Sequence, residues 1–431
     1  MTSSTRCSGS RAWPPLAAAL LIGATACAHR APRSLPAVGL AEPGARPRVL
    51  LLPIDNLSIQ AAPLKELRGA LERAFGERLE LVSGDVLEPF LAKHRLRHTG
   101  GLDAAAARAA RDELGADAVL ITSLELYRAA GPPMLGLTVR LVSVGDEPVI
   151  LWMDSSARSG DQSPGLLGLG REDRIERVQQ RVLAQLAHGL AAFLDGGSAD
   201  RRCDGGGRYR PKLRFRSKAI DGSAAATLAV VPFLNLSKRR GAGETVSLEF
   251  VRQLVATGRY RVLEPGVVRD YLLRARVIMP GGVSLETTRL IVGELGAGIV
   301  LSGMVLDFDE SPGVKGPTIR FSATMLDAGS GEVLWNSRSS NRGDDGVFLF
   351  GLGRIRTPQD LTCRMVASTI DEIGRERAGE TWPARNGDKD LLRLTREHPP
   401  RPVPPPAPAQ SAAGERSAPS AARARNNPGE T

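Results

Sequence analysis

Aromatic residues are scarce in this 431-residue chain, at 4%. A core must therefore be built from Leu, Val, Ala and Ile. A hydrophobic share of 42% against 24% charged residues is ordinary for a globular protein that has such a core. Histidine is just as sparse, at five residues, so few ligands are available for a metal centre. Sequence motifs of nucleophilic and zinc hydrolases are missing: there is no G-x-S-x-G, no S-x-x-K and no H-E-x-x-H. Long apolar runs are missing too. The longest near the amino terminus, Leu16 to Ala26, has eleven residues, too few to span a bilayer as a helix.

That short run has a different meaning. It follows Arg6 and Arg11, ends in small residues and is followed at once by Cys27. Charge, apolar stretch and small residues together read as a secretory signal, residues 1–26. Two fates of Cys27 fit. In one, the small residues before it act as a bacterial lipobox and Cys27 becomes a lipidated amino terminus. In the other, cleavage after Ala26 leaves it unmodified. Lipidation is the expectation adopted, because Cys27 stands at the cleavage point. Ala28 follows where an Asp would retain the protein in the inner membrane. The expected location is therefore the outer membrane, lipid-anchored and facing the periplasm.

The net charge is +10, from 57 Lys and Arg against 47 Asp and Glu. It favours anionic neighbours. A secreted chain rarely meets nucleic acid, so an acidic cell-wall polymer or lipid headgroup is the expected contact beside envelope proteins. Of the other cysteines, Cys7 leaves with the signal. Cys203 and Cys363 either pair in an oxidising periplasm or remain two free thiols.

The chain is written out twice. "LLLPIDNLS" (Leu50–Ser58) returns as "LAVVPFLNLS" (Leu228–Ser237). Aligned without a gap, Arg78–Leu126 and Arg259–Asp307 are identical at 13 of 49 positions, with "ELGA" at Glu113–Ala116 and Glu294–Ala297 the longest block. Gly100-Gly101 matches Gly281-Gly282, Trp152 stands opposite Trp335, and "GLGR" occurs at Gly168–Arg171 and Gly351–Arg354. Two copies at this period mean tandem domains rather than a solenoid.

Each copy reads as a small mixed-sheet α/β domain. A buried strand (Leu50–Ile54) leads to a helix with Leu64, Leu67, Leu71 and Phe75 on one face, then to a short strand at Leu79–Val82 and a helix from about Val86. The next helix is predicted from Asp103, an N-cap, to Gly115, a C′ glycine; Ser284 and Gly296 take these places in the second copy. Three strands follow in series, Ala118–Leu126, Leu135–Val144 and Val149–Ser156, as an antiparallel meander. A long helix closes each copy, the second capped by Thr357 with Pro358 at its first position.

The resulting organisation is a signal peptide (1–26), lipidated Cys27 and a tether (27–46), a first α/β domain (47–196), a flexible basic linker (197–225), a second α/β domain (226–378) and a disordered Pro/Ala/Arg-rich tail (379–431). Neither tether nor tail has apolar periodicity to bury, so neither is expected to contribute to folding stability.

An opening "VVPFLNLS", a helix, a short strand, "ELGA", a strand, and a hairpin ending "GEVLW" together resemble the curli-assembly lipoprotein (CsgG-like) group. The pattern is also similar to the amino-terminal domain of the Tol–Pal translocation protein and to small envelope lipoproteins. The resemblance covers both repeats. It implies a compact domain that works by protein–protein contact in the envelope, with no catalytic residues to carry over. The function expected is a non-catalytic periplasmic interaction or assembly module. The alternatives are a subunit of a curli-type secretion channel and a cell-wall or nucleotide-active enzyme.

No catalytic, cofactor or metal site is expected. His94 and His98 have the i, i+4 spacing of a metal pair, but no third ligand lies near in sequence and the second copy has Ala275 and Met279 there. "GLLGLGR" (Gly165–Arg171) has glycine spacing unlike a phosphate loop and no following Walker lysine, so it reads as a Gly-rich surface contact loop.

Overall fold

The computed structural model describes residues 46–58, 60–162, 170–197, 203–223, 226–277, 294–310, 316–348 and 351–375. Cys27, the leader, most of the tether and the tail lie outside these residues. So do Gly165 and Gly168 of the first "GLGR" loop and Ser284.

The first repeat builds a mixed sheet in the order β3-β1-β4-β5-β6, with a two-residue β2 also on β4. Its strands are β1 (Arg48–Leu51), β2 (Asp55–Asn56), β3 (Glu80–Val82), β4 (Ala118–Arg128), β5 (Met134–Ser143) and β6 (Ile150–Ser159). Strands β1, β3 and β4 are parallel; β4, β5 and β6 form the antiparallel meander. Helices α1 (Leu64–Phe75) and α4 (Ile175–Leu194) cover one face around Leu120, Leu137 and Trp152. Helices α2 (Leu87–Lys93) and α3 (Ala104–Leu114) cover the parallel half of the other.

The second repeat follows the same plan. Its sheet runs β10-β8-β11-β12-β13-β7, with β9 on β11. The strands are β7 (Leu213–Arg216), β8 (Thr227–Val230), β9 (Leu234–Asn235), β10 (Arg261–Val262), β11 (Ile299–Asp309), β12 (Thr318–Asp327) and β13 (Val333–Arg342). Helices α5 (Ala242–Thr257) and α7 (Pro358–Ile373) cover one face, and α6 (Pro265–Arg274) packs on β8 on the other.

The likeness extends to the irregularities. The β4–β5 ladder shifts between Leu124 and Leu126, and β11–β12 shifts at the equivalent Val305 and Asp307. A second shift recurs beside Trp152 and Trp335. A bulge re-aims a strand, so the copies inherited the curvature of their sheets as well as the order of their elements.

Local sequence explains the shared elements. Pro53 and Pro232 end β1 and β8 because they cannot donate to the parallel ladder. The Asn56 side chain then accepts from the Ser58 N–H (3.0 Å) and hydroxyl (2.6 Å), and Asn235 and Ser237 repeat the turn at 3.0 and 2.7 Å. Asp103 caps α3 by accepting from Ala106 N–H, and Gly115 closes it in the left-handed region at φ 60°. Thr357 caps α7 by accepting from Asp360 N–H, ahead of Pro358.

One expectation is overturned. The basic segment read as a flexible linker is built into the second repeat from Cys203 onward. Strand β7 pairs antiparallel with β13, and Tyr209 and Ile220 are buried beside it. Three of its cations are engaged: Arg210 and Arg214 reach Glu372 at 3.1 and 3.4 Å, and Arg216 pairs with Asp221. Cys203 and Cys363 form a disulfide that fixes the segment to α7. Glycine and arginine density suggested a solvated linker. The decisive features were instead an alternation only four residues long and a cysteine partner 160 positions away.

Candidate functional site

The repeats do not stand apart on a linker. Helices α5 and α7 pack on their own sheet and also against β6 of the first repeat. Nearly every residue of α5 from Ala242 to Leu254 is therefore buried, on all sides of the helix. The same packing makes β5 buried at all ten positions, whereas its counterpart β12 alternates buried and half-buried. Gly136 in β5 admits Gln359 of α7: a Cβ there would lie 3.1 Å from the Gln359 amide carbon. Arg320 holds the equivalent place on β12.

Charged residues line this seam. Arg140 of β5 and Glu264, the N-cap of α6, are both fully buried and joined by a fork. Arg140 Nη2 donates to Glu264 Oε1 at 2.9 Å, and Nε donates to Oε2 at 3.1 Å. Arg140 Nη2 also donates to the Gly100 carbonyl at 2.7 Å, while Glu264 Oε1 accepts from Leu102 N–H and Gly266 N–H at 3.3 Å each. Backbone meets backbone beside the pair. A Cβ on Gly101 would lie 2.6 Å from Gly266 Cα, so no larger residue fits.

A second contact joins the duplicated turn to the first repeat's bulge. Arg239, 2% exposed, donates from Nε to Glu310 at 2.7 Å, from Nη1 to Thr245 at 3.1 Å and from Nη2 to the Glu125 carbonyl. The Glu125 side chain accepts from Thr138 Oγ1 at 2.9 Å. Burial pushes this carboxyl up to about 7, against the opposing Thr138 hydrogen bond. Beside it, Arg252 donates to Glu249 at 2.7 and 3.0 Å and to Cys363 Sγ at 2.7 Å, next to the disulfide.

Chemically this constellation holds surfaces together. Arg140 and Glu264 face one another across a closed interface, while Arg239–Glu310 and Arg252–Glu249 pair within the second repeat. Two concavities among the described residues lie elsewhere. One, of about 10 Å³, adjoins Arg158 and Glu172; the other, of about 540 Å³, is an open groove between α1 and the start of α2. Apolar side chains do reach solvent on the second repeat. Phe348 and Leu352 stand at a loop tip, 64% and 58% exposed, and Phe215 lies on edge strand β7.

The residues singled out from sequence separate. His94 Nε2 lies 3.0 Å from Glu113, and His98 faces Arg269 at 3.2 Å, so the pair does not converge on one point. Trp152 and Trp335 are core residues of their respective repeats. The second "GLGR" forms part of the loop that carries Leu352, with Gly351 and Gly353 at positive φ. Sequence reading missed Arg140, Glu264, Glu125 and Arg239. A signal existed: where the copies align, Arg140 faces Thr324 and Glu264 faces Ser83, so charge changes inside otherwise matching elements.

No family model matches the chain, and no curated protein matches it. Among solved structures it is similar to PelC from Paraburkholderia phytofirmans, crystallised as a dodecamer (17% identity, 38% of this chain, 96% of that one, TM-score 0.27). It is similar also to lipoprotein GNA1162 from Neisseria meningitidis (19%, 35%, 98%, TM-score 0.26) and to the LpoB C-terminal domain from Escherichia coli (14%, 28%, 84%, TM-score 0.22).

Proposed function

We propose that the chain is a non-catalytic lipoprotein of a bacterial envelope, held to the outer membrane by lipid on Cys27. In this reading it presents two fused α/β repeats to protein partners in the periplasm. The observation that carries the reading is the seam. Arg140 and Glu264 pair in joining the repeats and Arg239 pairs with Glu310 beside them, while Phe348, Leu352 and Phe215 are left outside. Exposed aromatic and aliphatic side chains on a firm scaffold are what a protein partner buries. No helix among the described residues is long and apolar enough to cross a membrane, so attachment through Cys27 supplies the anchor this reading needs.

The test has two arms. Globomycin should block processing of the precursor, and the mature protein should fractionate with the outer membrane; a soluble, unacylated mature protein sinks the anchor. Crosslinked recovery of tagged protein from envelopes should lose its main partners when Phe348 and Leu352 are both changed to Ser. An unaltered partner profile sinks the surface.

The curli-type channel reading gains nothing from the geometry. Residues 343–357, between β13 and α7, are fewer than the roughly 20 a membrane-spanning hairpin needs. The described part of this loop turns back on itself, with Phe348 N–H donating to the Leu352 carbonyl.

A further inference from the structure

One junction of this fold is filled inside the molecule, and its duplicate is open. In the second repeat the turn between β10 and α6 receives a segment of the first. Leu102, 1% exposed, enters there behind Gly100 and Gly101, and Arg140 comes with it to meet Glu264. A Cβ on Gly266 would lie 2.1 Å from Leu102 N, so backbone lies directly on backbone. Residues 264–269 are buried or half-buried throughout.

The gap-free alignment places the same junction of the first repeat at Ser83–Glu88, between β3 and α2. Here Gly84, Asp85, Val86 and Glu88 are exposed. Val86 is 51% exposed, whereas its counterpart Val267 is half-buried. This is the open groove of about 540 Å³, walled on its other side by Arg68 and Glu72 of α1. Arg68 is already paired with Glu72 at 3.1 Å. Among the described residues, neither Asp85 nor Glu88 has a cation to pair with.

The differences between the junctions describe the visitor. Asp85 stands in the place of Gly266, so a backbone can no longer lie flat there; a visiting segment stands off by a side chain and meets a carboxylate. Glu88 stands in the place of Arg269, which adds a second acid. We propose that the Ser83–Glu88 groove docks a basic segment of a protein partner, one that lays an apolar side chain on Val86 and sets cationic side chains against Asp85 and Glu88. The polarity is that of the seam, where the visiting repeat brings the guanidinium and the junction supplies the carboxylate. A second copy of this chain fits poorly, because Thr324 stands where Arg140 would be needed. The inference rests on the reading that this chain works through protein partners, but neither Phe348, Leu352 nor lipid on Cys27 takes part in it.

The probe is a fluorescently labelled, end-blocked peptide of the sequence Arg95–Leu102, in which Arg95 and Arg97 flank Leu96. It is titrated with the mature chain carrying Cys27→Ser. The peptide should bind, and Asp85→Lys with Glu88→Lys should weaken binding by at least about tenfold through like-charge contact. That variant should instead take up the peptide carrying Arg95→Glu and Arg97→Glu. Both altered positions are exposed, so its urea midpoint should match that of the wild type, which verifies its fold. Phe348→Ser with Leu352→Ser should bind the peptide as the wild type does, so this site and the surface proposed above can fail separately. No binding by the wild type, or equal binding after Asp85→Lys and Glu88→Lys, overturns the proposal. So does a wild-type dimer that those two changes dissolve in sedimentation, which would assign the groove to a second copy.

Discussion

Replacing Arg140 by Ala tests whether the repeats are one cooperative body. Both Arg140 and Glu264 have no solvent exposure, and they belong to different repeats. Removing the guanidinium leaves the Glu264 carboxylate buried with only the Leu102 and Gly266 N–H groups, each at 3.3 Å. An orphaned buried charge of this kind costs about 3–5 kcal/mol. An exposed pair would cost about 0–1 kcal/mol. Each repeat carries its own reporter, Trp152 in one core and Trp335 in the other. Urea unfolding would be followed in two single-tryptophan forms of the mature chain, each also carrying Trp382→Phe. Both reporters should give one shared midpoint, and Arg140→Ala should lower it for both. Arg140→Met with Glu264→Gln removes both charges while keeping an acceptor for the two N–H groups. It should recover more than half of the loss. A cost under about 1 kcal/mol, or a Trp152 midpoint that falls while Trp335 stays, refutes the fused body.

Three further outcomes are expected. The folded-state value of Glu125, about 7, lies above its ordinary 4.5, so the native state holds the extra proton and stability falls as pH rises from about 4.5 to about 7, then levels; Glu125→Gln should flatten that fall in unfolding curves and stabilise the protein at pH 8. The Cys203–Cys363 bond closes a loop of 160 positions, so Cys363→Ser should cost about 5 kcal/mol on the chain-entropy account, read as a urea midpoint drop matched by reducing the wild type. Deleting Asp390–Thr431 should leave thermal unfolding unchanged and weaken partner recovery from envelopes; a melting temperature lower by several degrees would show that the tail packs on a domain.

Much of the fold follows from local physics and was legible in the chain. Prolines that cannot donate end β1 and β8. Asn–Ser turns redirect the backbone, and Asp103, Gly115 and Thr357 fix helix ends through hydrogen bonds and dihedrals reaching only a few residues. Because these signals are short-range, they survive duplication, as the Asn235–Ser237 turn repeating Asn56–Ser58 shows. The seam obeys no such rule. The burial of Arg140 depends on Glu264, 124 residues away, and the accommodation of Gln359 depends on Gly136 in the other copy. Likewise, a stretch of arginines became strand β7 only because β13 offered an edge and Cys363 a partner. Periodicity reports which face of an element is apolar, and β5 and β12 share that pattern. What covers the remaining face is set by the placement of whole elements, so only the tertiary structure decided that one of these sheets is sealed and the other is open.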